Sequence, residues 1–453
     1  MTNQKAKVFL GCESLAAGNG GICRVARLMA RVIGEEVQAG RISASALALS
    51  DSHPPHQLRG DRDGPLSLSL SPPEGERVPK AGEGTVHDPD AWHGAVEAPP
   101  GPRLPMTVAR GVRAKFVWEV QKAALTHSHF LYDFLGTARA HGRIPLLRRP
   151  FLTWIHGIEV WEQTRPDRLA WAGRAALLLA NSEYTRTRAA TLHGCFSGAH
   201  VCWLASETDD LPRALPARPG PPTVLMVARF DGDGGYKGHR ELIACWPKVV
   251  ALLPDARLVF VGRGPGRPVI EHLALQSPAR SHIEFRGFVS DAELGAVWAE
   301  TSVFAMPSRG EGFGLVYIEA MRQGVPVVAS VHDAAPEVNL DGVTGFNVNL
   351  DSPEELPERL IHLLRNPSVA VQLGSNGRER WRQHFRFSCF RERFLPLLHG
   401  FLKYEGKWRP VAPGHTSGPA IDSAQYSEES AAYTIPKAAE AAPSPLPKGR
   451  GLG

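Results

Sequence analysis

Short apolar runs, each leading into a polar loop, recur along this chain in two series. The first series holds Val8-Phe9-Leu10, Leu125 to Phe130, Phe151 to Gly157 and Ala175 to Ser182. The second holds Thr223 to Val227, Arg257 to Val261, Ile283 to Phe285 and Pro326 to Ser330. Strands that are apolar throughout are buried on both faces, so helices must cover those faces, which describes a parallel α/β sheet. Amphipathic stretches stand between them. Ile22, Val25, Ala26, Met29, Val32 and Ile33 share one helical face, with Arg24, Arg27 and Arg31 on another. Glu241 to Leu253 repeats the pattern, and Ser290-Asp291-Ala292-Glu293 has the form of a capping box. A Pro-rich stretch over 206–221 separates the two series. The expected architecture is therefore two Rossmann-like domains, 1–205 and 222–375, facing across a cleft.

At 453 residues the chain suits two cores with appendages. Residues 51–105, rich in Pro, Gly, Asp and His, are expected to form a poorly ordered insertion. An amphipathic segment over 376–404 is expected to be a terminal helix, and the Ala/Pro/Ser/Gly-rich tail 405–453 to be disordered. The net charge of +5 allows an anionic ligand or an acidic membrane surface, and no basic stripe with interleaved aromatics argues for nucleic acid. Six scattered cysteines without a C-x-x-C pair fit a reducing compartment. The start has no form of a signal peptide and no apolar run is long enough to span a bilayer, so a cytoplasmic location is expected, with contact at the inner membrane face as an option.

Chemistry concentrates at Arg309 to Ala320. A strand, Ser302 to Pro307, enters the glycine-rich turn Gly310-Glu311-Gly312-Phe313-Gly314, and a helix follows. Such a junction gathers backbone N–H groups and a positive helix end at one point, which favours an anion. Glu311 and Glu319 stand at the two ends of that site. They suit an acid–base pair, or carboxylates that hold the hydroxyls of a ligand whose phosphates face the amides, as in a nucleotide sugar.

Several further pieces occur in order: Gly20-Gly21, His156-Gly157, Arg229, Lys237-Gly238, Val261-Gly262-Arg263-Gly264, Pro336-Glu337 and Gly342 to Phe346. With them the chain, over roughly 6–404, resembles the retaining glycosyltransferases of family 4, which have the GT-B fold. The resemblance implies two Rossmann-like domains and a C-terminal helix crossing back to the first. The loop Asp231 to Tyr236 is longer than in simple members and resembles a branch ending in Tyr-Lys-Gly-His. Trp203 to Glu207 replaces the Asn-Gly-Val-Asp-like turn frequent before the linker.

The activity implied is transfer of a sugar from a nucleoside diphosphate to a saccharide or lipid-linked hydroxyl with retention, in polysaccharide or glycolipid synthesis. Arg229 and Lys237 are expected to stabilise the departing diphosphate. Glu311 is expected to hold the donor sugar, Glu319 the ribose, and His156 to face donor sugar and acceptor. Gly20 and Gly21 are expected beneath the phosphate, and Gly312, Phe313, Gly314 and Leu315 to supply amides. Arg263, Phe288 and Val289 are candidates for the base. No cofactor or metal is expected. His53, His56, His127 and His129 are not expected to bind a metal; the first two fall in the expected insertion. Arg143, Arg148 and Arg149 suit either plain solvent or anionic lipid headgroups. The alternative reading is a non-catalytic sugar-nucleotide-binding partner subunit.

Overall fold

The computed structural model describes residues 5–16, 20–51, 104–161, 166–194, 196–212, 220–232, 235–289 and 291–404. Nearly all of the expected insertion, the tail 405–453, His53, His56 and Ser290 of the capping box lie outside these residues.

The first domain runs β1 (Lys7–Cys12), α1 (Gly20–Gln38), β2 (Ser43–Ala48), β3 (Met106–Val108), α2 (Arg113–Ala123), β4 (His129–Tyr132), α3 (Leu135–Ala138), β5 (Phe151–Ile155), α4 (Pro166–Ala172), β6 (Leu177–Ala180), α5 (Glu183–His193) and β7 (His200–Val201). Its strands form a parallel sheet in the order β3-β2-β1-β4-β5-β6-β7. The second domain runs β8 (Thr223–Val227), α6 (His239–Leu252), β9 (Arg257–Val261), α7 (Arg267–Gln276), β10 (Ile283–Gly287), α8 (Asp291–Glu300), β11 (Val303–Ala305), α9 (Leu315–Arg322), β12 (Val327–Ser330), α10 (Ala335–Val338), β13 (Gly345–Val348) and α11 (Glu355–Arg365). Its parallel order is β10-β9-β8-β11-β12-β13. Two helices, α12 (Pro367–His384) and α13 (Phe387–Leu402), end the described chain.

In both sheets the strand order reverses direction once, between β1 and β4 and between β8 and β11. Loops diverge at the carboxyl ends of such a pair and leave a crevice. The crevices fall at the loops after β1, β4, β8 and β11, which lead to Gly20, Asp133, Arg229 and Glu311.

The terminal segment differs from expectation. One helix was expected over 376–404; α12 starts at Pro367, and the chain bends at Phe385-Arg386 before α13. Proline at the first position suits a helix start. α12 lies on α9, with Gly377 against Met321. α13 lies on the first domain: Phe390 and Phe394 meet the Trp154 ring at centroid distances of 6.2 and 6.1 Å, and Arg391 pairs with Glu35 at 2.7 Å. The crossing back is therefore made by α13. Glu207 in the linker is gripped by Arg27 at 2.8 and 2.7 Å, and Ser206 takes the Trp381 indole N–H at 2.8 Å.

His127 and His129 lie on opposite faces, against Phe9 and Phe401 respectively, because His127 ends a helical turn before β4; two residues apart within one strand they would share a face. Both stand at the amino end of β4, so neither reaches the cleft.

Candidate active site

The turn after β11 is fixed from below. The buried Asp333 carboxylate accepts the Glu311 N–H at 2.9 Å and the Ala335 N–H at 2.9 Å, while the Glu311 carbonyl accepts the Ala334 N–H at 3.1 Å. Burial pushes the Asp333 pKa up to about 7; the two amide bonds oppose this and the Glu311 charge adds to it. Gly314 takes φ +89°, a left-handed conformation open to glycine, and lets α9 begin at Leu315. Glycine is required there a second way, because a Cβ would meet the Tyr317 ring.

Lys237 reaches this turn from the β8–α6 loop and pairs with Glu311. Its ammonium also sits 4.8 Å over the Tyr236 ring. Burial by itself disfavours the Lys237 charge; Glu311, then Tyr236 and Asp231, outweigh burial, so its pKa is raised. Next in sequence, Gly238 has φ +100°, and a Cβ would strike the Pro307 carbonyl at 2.5 Å. Arg229 behaves differently: 74% of its side chain is exposed, and its nearest partner, Asp231, is 3.7 Å away.

Three loops of the first domain close on the turn. A Cβ at Gly312 would collide with the His156 carbonyl, so the two backbones touch. The Gly312 carbonyl accepts the Ser182 hydroxyl at 2.6 Å and the Thr185 hydroxyl at 3.2 Å. Leu315 comes within 3.5 Å of where a Gly21 Cβ would be, and Gly20, at φ +84°, opens α1. Glu319 pairs with Arg24 of α1 across the same cleft. Glu337 of α10 caps α5, accepting the Glu183 N–H at 2.9 Å, the Tyr184 N–H at 2.5 Å and the Trp203 indole N–H at 3.1 Å. Burial raises its pKa against these bonds.

His156 Nε2 bonds the Asp133 carbonyl at 2.7 Å. A carbonyl only accepts, so Nε2 carries a proton, and the tautomer with that proton leaves Nδ1 as an acceptor. The Asp133 carboxylate, fully buried, takes the Glu13 N–H at 2.8 Å and the Thr137 hydroxyl at 2.7 Å. Its pKa is pushed up to about 7 by burial.

The expected base-binding group forms a second cluster. The Arg263 guanidinium lies 4.2 Å over the Phe288 ring, and Val289 packs on the core. The Arg263 carbonyl accepts the Phe230 N–H at 3.1 Å and the Gly262 N–H reaches the Gly287 carbonyl at 2.7 Å, so this cluster adjoins the Arg229 loop. The structure thus joins Lys237, Glu311, Gly312, Leu315, Glu319, Gly21 and His156, and puts Arg229 and Arg263 on neighbouring loops. Asp333, Asp133, Arg24, Ser182 and Asn181, whose amide donates to the His156 carbonyl at 3.1 Å, belong to the site and carry no site motif in the sequence. Asp133 and Asp333 each follow a strand end, the one local signal they carry.

Two parallel-sheet domains meeting at the carboxyl ends of their strands, with a terminal helix returning to the first, define the GT-B class. The chain belongs to the family described as glycosyl transferases group 1, whose model matches residues 207–380. It is similar to a GDP-mannose-dependent alpha-(1-6)-phosphatidylinositol monomannoside mannosyltransferase of Mycolicibacterium smegmatis, 30% identical over 56% of this chain and 72% of that protein. The protein of the same name from Mycobacterium tuberculosis is 30% identical over 48% of this chain, which spans only 60% of that relative. In fold it is similar to HepE of Anabaena, solved with UDP and glucose, at TM-score 0.63 and 17% identity, covering 87% of this chain and 99% of HepE. Among the described residues no helix is long and apolar enough to cross a membrane.

Proposed function

We propose that this protein is a retaining, metal-independent glycosyltransferase that moves a hexose from a nucleoside-diphosphate sugar to a hydroxyl of a saccharide or lipid-linked acceptor. The observation that carries this is the Lys237–Glu311 pair at the start of α9, closed over by His156 and Ser182 of the other domain. Two cation–carboxylate pairs, Lys237–Glu311 and Arg24–Glu319, flank the helix start. A donor exchanges with them: its phosphates take the cations and its sugar and ribose hydroxyls take Glu311 and Glu319. Arg229, exposed on a mobile-length side chain, folds in on the diphosphate beside Lys237.

In the transfer, the bond from the anomeric carbon to the phosphate oxygen breaks and one to the acceptor oxygen forms. The acceptor proton passes to the departing phosphate. Lys237, Arg229 and the amides opening α9 stabilise the charge that develops there, a role for which another enzyme class uses a divalent ion. The His156 Nδ1 acceptor holds a sugar or acceptor hydroxyl. Arg263 and Phe288 hold the base.

The relatives' names make GDP-mannose the first donor to test, and phosphatidylinositol mannoside the first acceptor class. An acceptor of that class is a membrane lipid, so the proposal includes peripheral contact with a membrane, at its cytoplasmic face. The test is release of nucleoside diphosphate from a panel of GDP-, UDP- and ADP-sugars, with and without lipid and saccharide acceptors, before and after EDTA. One donor is expected to turn over, unaffected by EDTA. Activity lost to EDTA and restored by magnesium or manganese overturns metal independence. Tight nucleotide binding with no turnover on any acceptor favours the non-catalytic partner subunit.

A further inference from the structure

The first domain carries a surface that its sugar chemistry does not use. Residues 110–149 hold eight Lys and Arg against two Asp and Glu, an excess larger than the +5 of the whole chain. One of the two carboxylates, Asp133, is buried, and the other, Glu119, is paired with Lys122 at 2.7 Å. Large apolar side chains stand exposed within this basic region. Leu146 is 93% exposed, Leu125 65% and Trp118 61%, with Ile144 and Val112 beside them in sequence.

Trp118, Leu125, Ile144 and Leu146 gather at the carboxyl-terminal half of α2. Lys115, Trp118 and Lys122 follow one another at helical spacing along the exposed face of α2, and Leu125 continues the stripe. The loop 139–149 is bound to the same helix: Gln121 gives its amide to the Ala140 carbonyl at 2.7 Å and accepts the Ile144 N–H at 3.2 Å. Arg149 reaches the Ala124 carbonyl at 3.1 Å. The exposed run Arg143-Ile144-Pro145-Leu146 therefore stands beside Trp118, Lys122 and Leu125.

We propose that this patch on α2 and the 139–149 loop is a docking surface for an anionic phospholipid bilayer. Exposed apolar tips inside a basic field fit a membrane interface: the leucine and tryptophan enter the headgroup boundary and the cations meet lipid phosphates. Tryptophan is the side chain that favours that depth. A soluble acidic ligand would use the cations and leave a 93% exposed leucine without a role. The loop precedes the amino end of β5 and Leu125 precedes that of β4, whereas the cleft lies at the carboxyl ends. The patch thus lies at the opposite ends of the strands from the cleft, and contact there leaves the cleft uncovered. The proposal takes up the peripheral membrane contact proposed above, and lipid binding is measured apart from turnover so that either can fail alone.

The experiment is co-sedimentation of the full chain with vesicles of phosphatidylcholine alone and with added phosphatidylglycerol, at low and high salt. Binding is expected to the anionic vesicles, to weaken with salt, and to fall about tenfold or more in Arg143→Glu and again in Leu146→Glu. Both positions are exposed, so the variants should keep the wild-type melting temperature and turnover on a soluble acceptor. Absence of binding, equal binding to both vesicle types, or wild-type binding by both variants overturns the proposal. So does a dimer in solution that Leu146→Glu dissolves, which would assign the patch to a second copy of the chain.

Discussion

At the residue scale the site depends on which charges are buried and with what partner. Lys237 is 16% exposed beside Glu311, whereas Arg229 is 74% exposed. Lys237 is thus the cation already in place, and its removal should cost more than removal of a surface charge. A charge-assisted hydrogen bond contributes roughly 1.5–3 kcal/mol, so Lys237→Ala should lower turnover at saturating donor by about ten- to a hundredfold. Near-normal turnover would end the leaving-group role. A different buried group sets a pH dependence. His141 donates from Nε2 to the Arg149 carbonyl at 2.8 Å and meets the Tyr132 hydroxyl at 3.0 Å. Burial pushes its pKa down to about 4, opposed by the Arg149 bond. In the unfolded chain it titrates near 6.5, so between about 6.5 and about 4 the unfolded chain holds the extra proton. Stability therefore falls as pH falls through that window, by up to about 1.4 kcal/mol per pH unit. Asp133 and Asp333, raised to about 7, act in the opposite sense, since below 7 the fold keeps protons the unfolded chain gives up. The informative quantity is the stability of the wild type minus that of His141→Asn. It should shrink as pH falls from about 6.5 to about 4.5, and a constant difference would contradict the assignment.

At the element scale the decisive contact is between two loops at strand ends. Gly312 touches the His156 carbonyl, and Ser182 and Thr185 bond the Gly312 carbonyl from the start of α5. Gly312→Ala puts a methyl group into that contact and holds the loops apart. Misplacing a reacting centre by about 1 Å costs on the order of a hundredfold. The variant should lose turnover to that extent while nucleotide still raises its melting temperature as in the wild type; unchanged turnover would show that the loops need not meet. How much of this was legible follows from where each signal resides. The strand over Arg257 to Val261 and the glycine turn at Glu311 are local patterns, and the structure has them where expected. The strand expected from Leu125 instead begins at His129, because Leu125 to His127 finish a helical turn, with the His127 N–H on the Ala123 carbonyl at 2.8 Å. The pairing of Arg24 with Glu319 and the capping of α5 by Glu337 join residues far apart in the chain. No periodicity encodes such partners; the assembled sheets bring them together. The bend at Phe385-Arg386 was hidden because apolar residues continue across it.

At the scale of the whole molecule, α13 makes the two domains dependent on each other. It follows α12, which lies on the second domain, yet its apolar side chains complete the core of the first. Phe394 is fully buried, stacked on Phe390 at 5.3 Å and against Trp154 of β5. Arg31 of α1 lies 3.6 Å over the Phe387 ring, and His399 bonds Glu36 at 2.8 Å. The linker returns the grip, as Asp209 accepts the Ser388 N–H at 2.8 Å. The first domain therefore lacks part of its core unless the second has folded and placed α13. Truncating a buried phenylalanine costs about 3–5 kcal/mol, and for Phe394→Ala that loss falls on the first domain alone. The wild type should unfold in one thermal transition. The variant should show two, the earlier one abolishing turnover and the later one still raised by nucleotide, since the loops after β8 and β11 remain intact. Stabilisation by a ligand follows RT ln(1 + [L]/Kd), so the nucleotide shift identifies which transition belongs to the second domain. A single transition, lowered as a unit and raised by nucleotide as a unit, would mean that the domains stay coupled through Glu207, Glu337 and the cleft loops without the packing of α13.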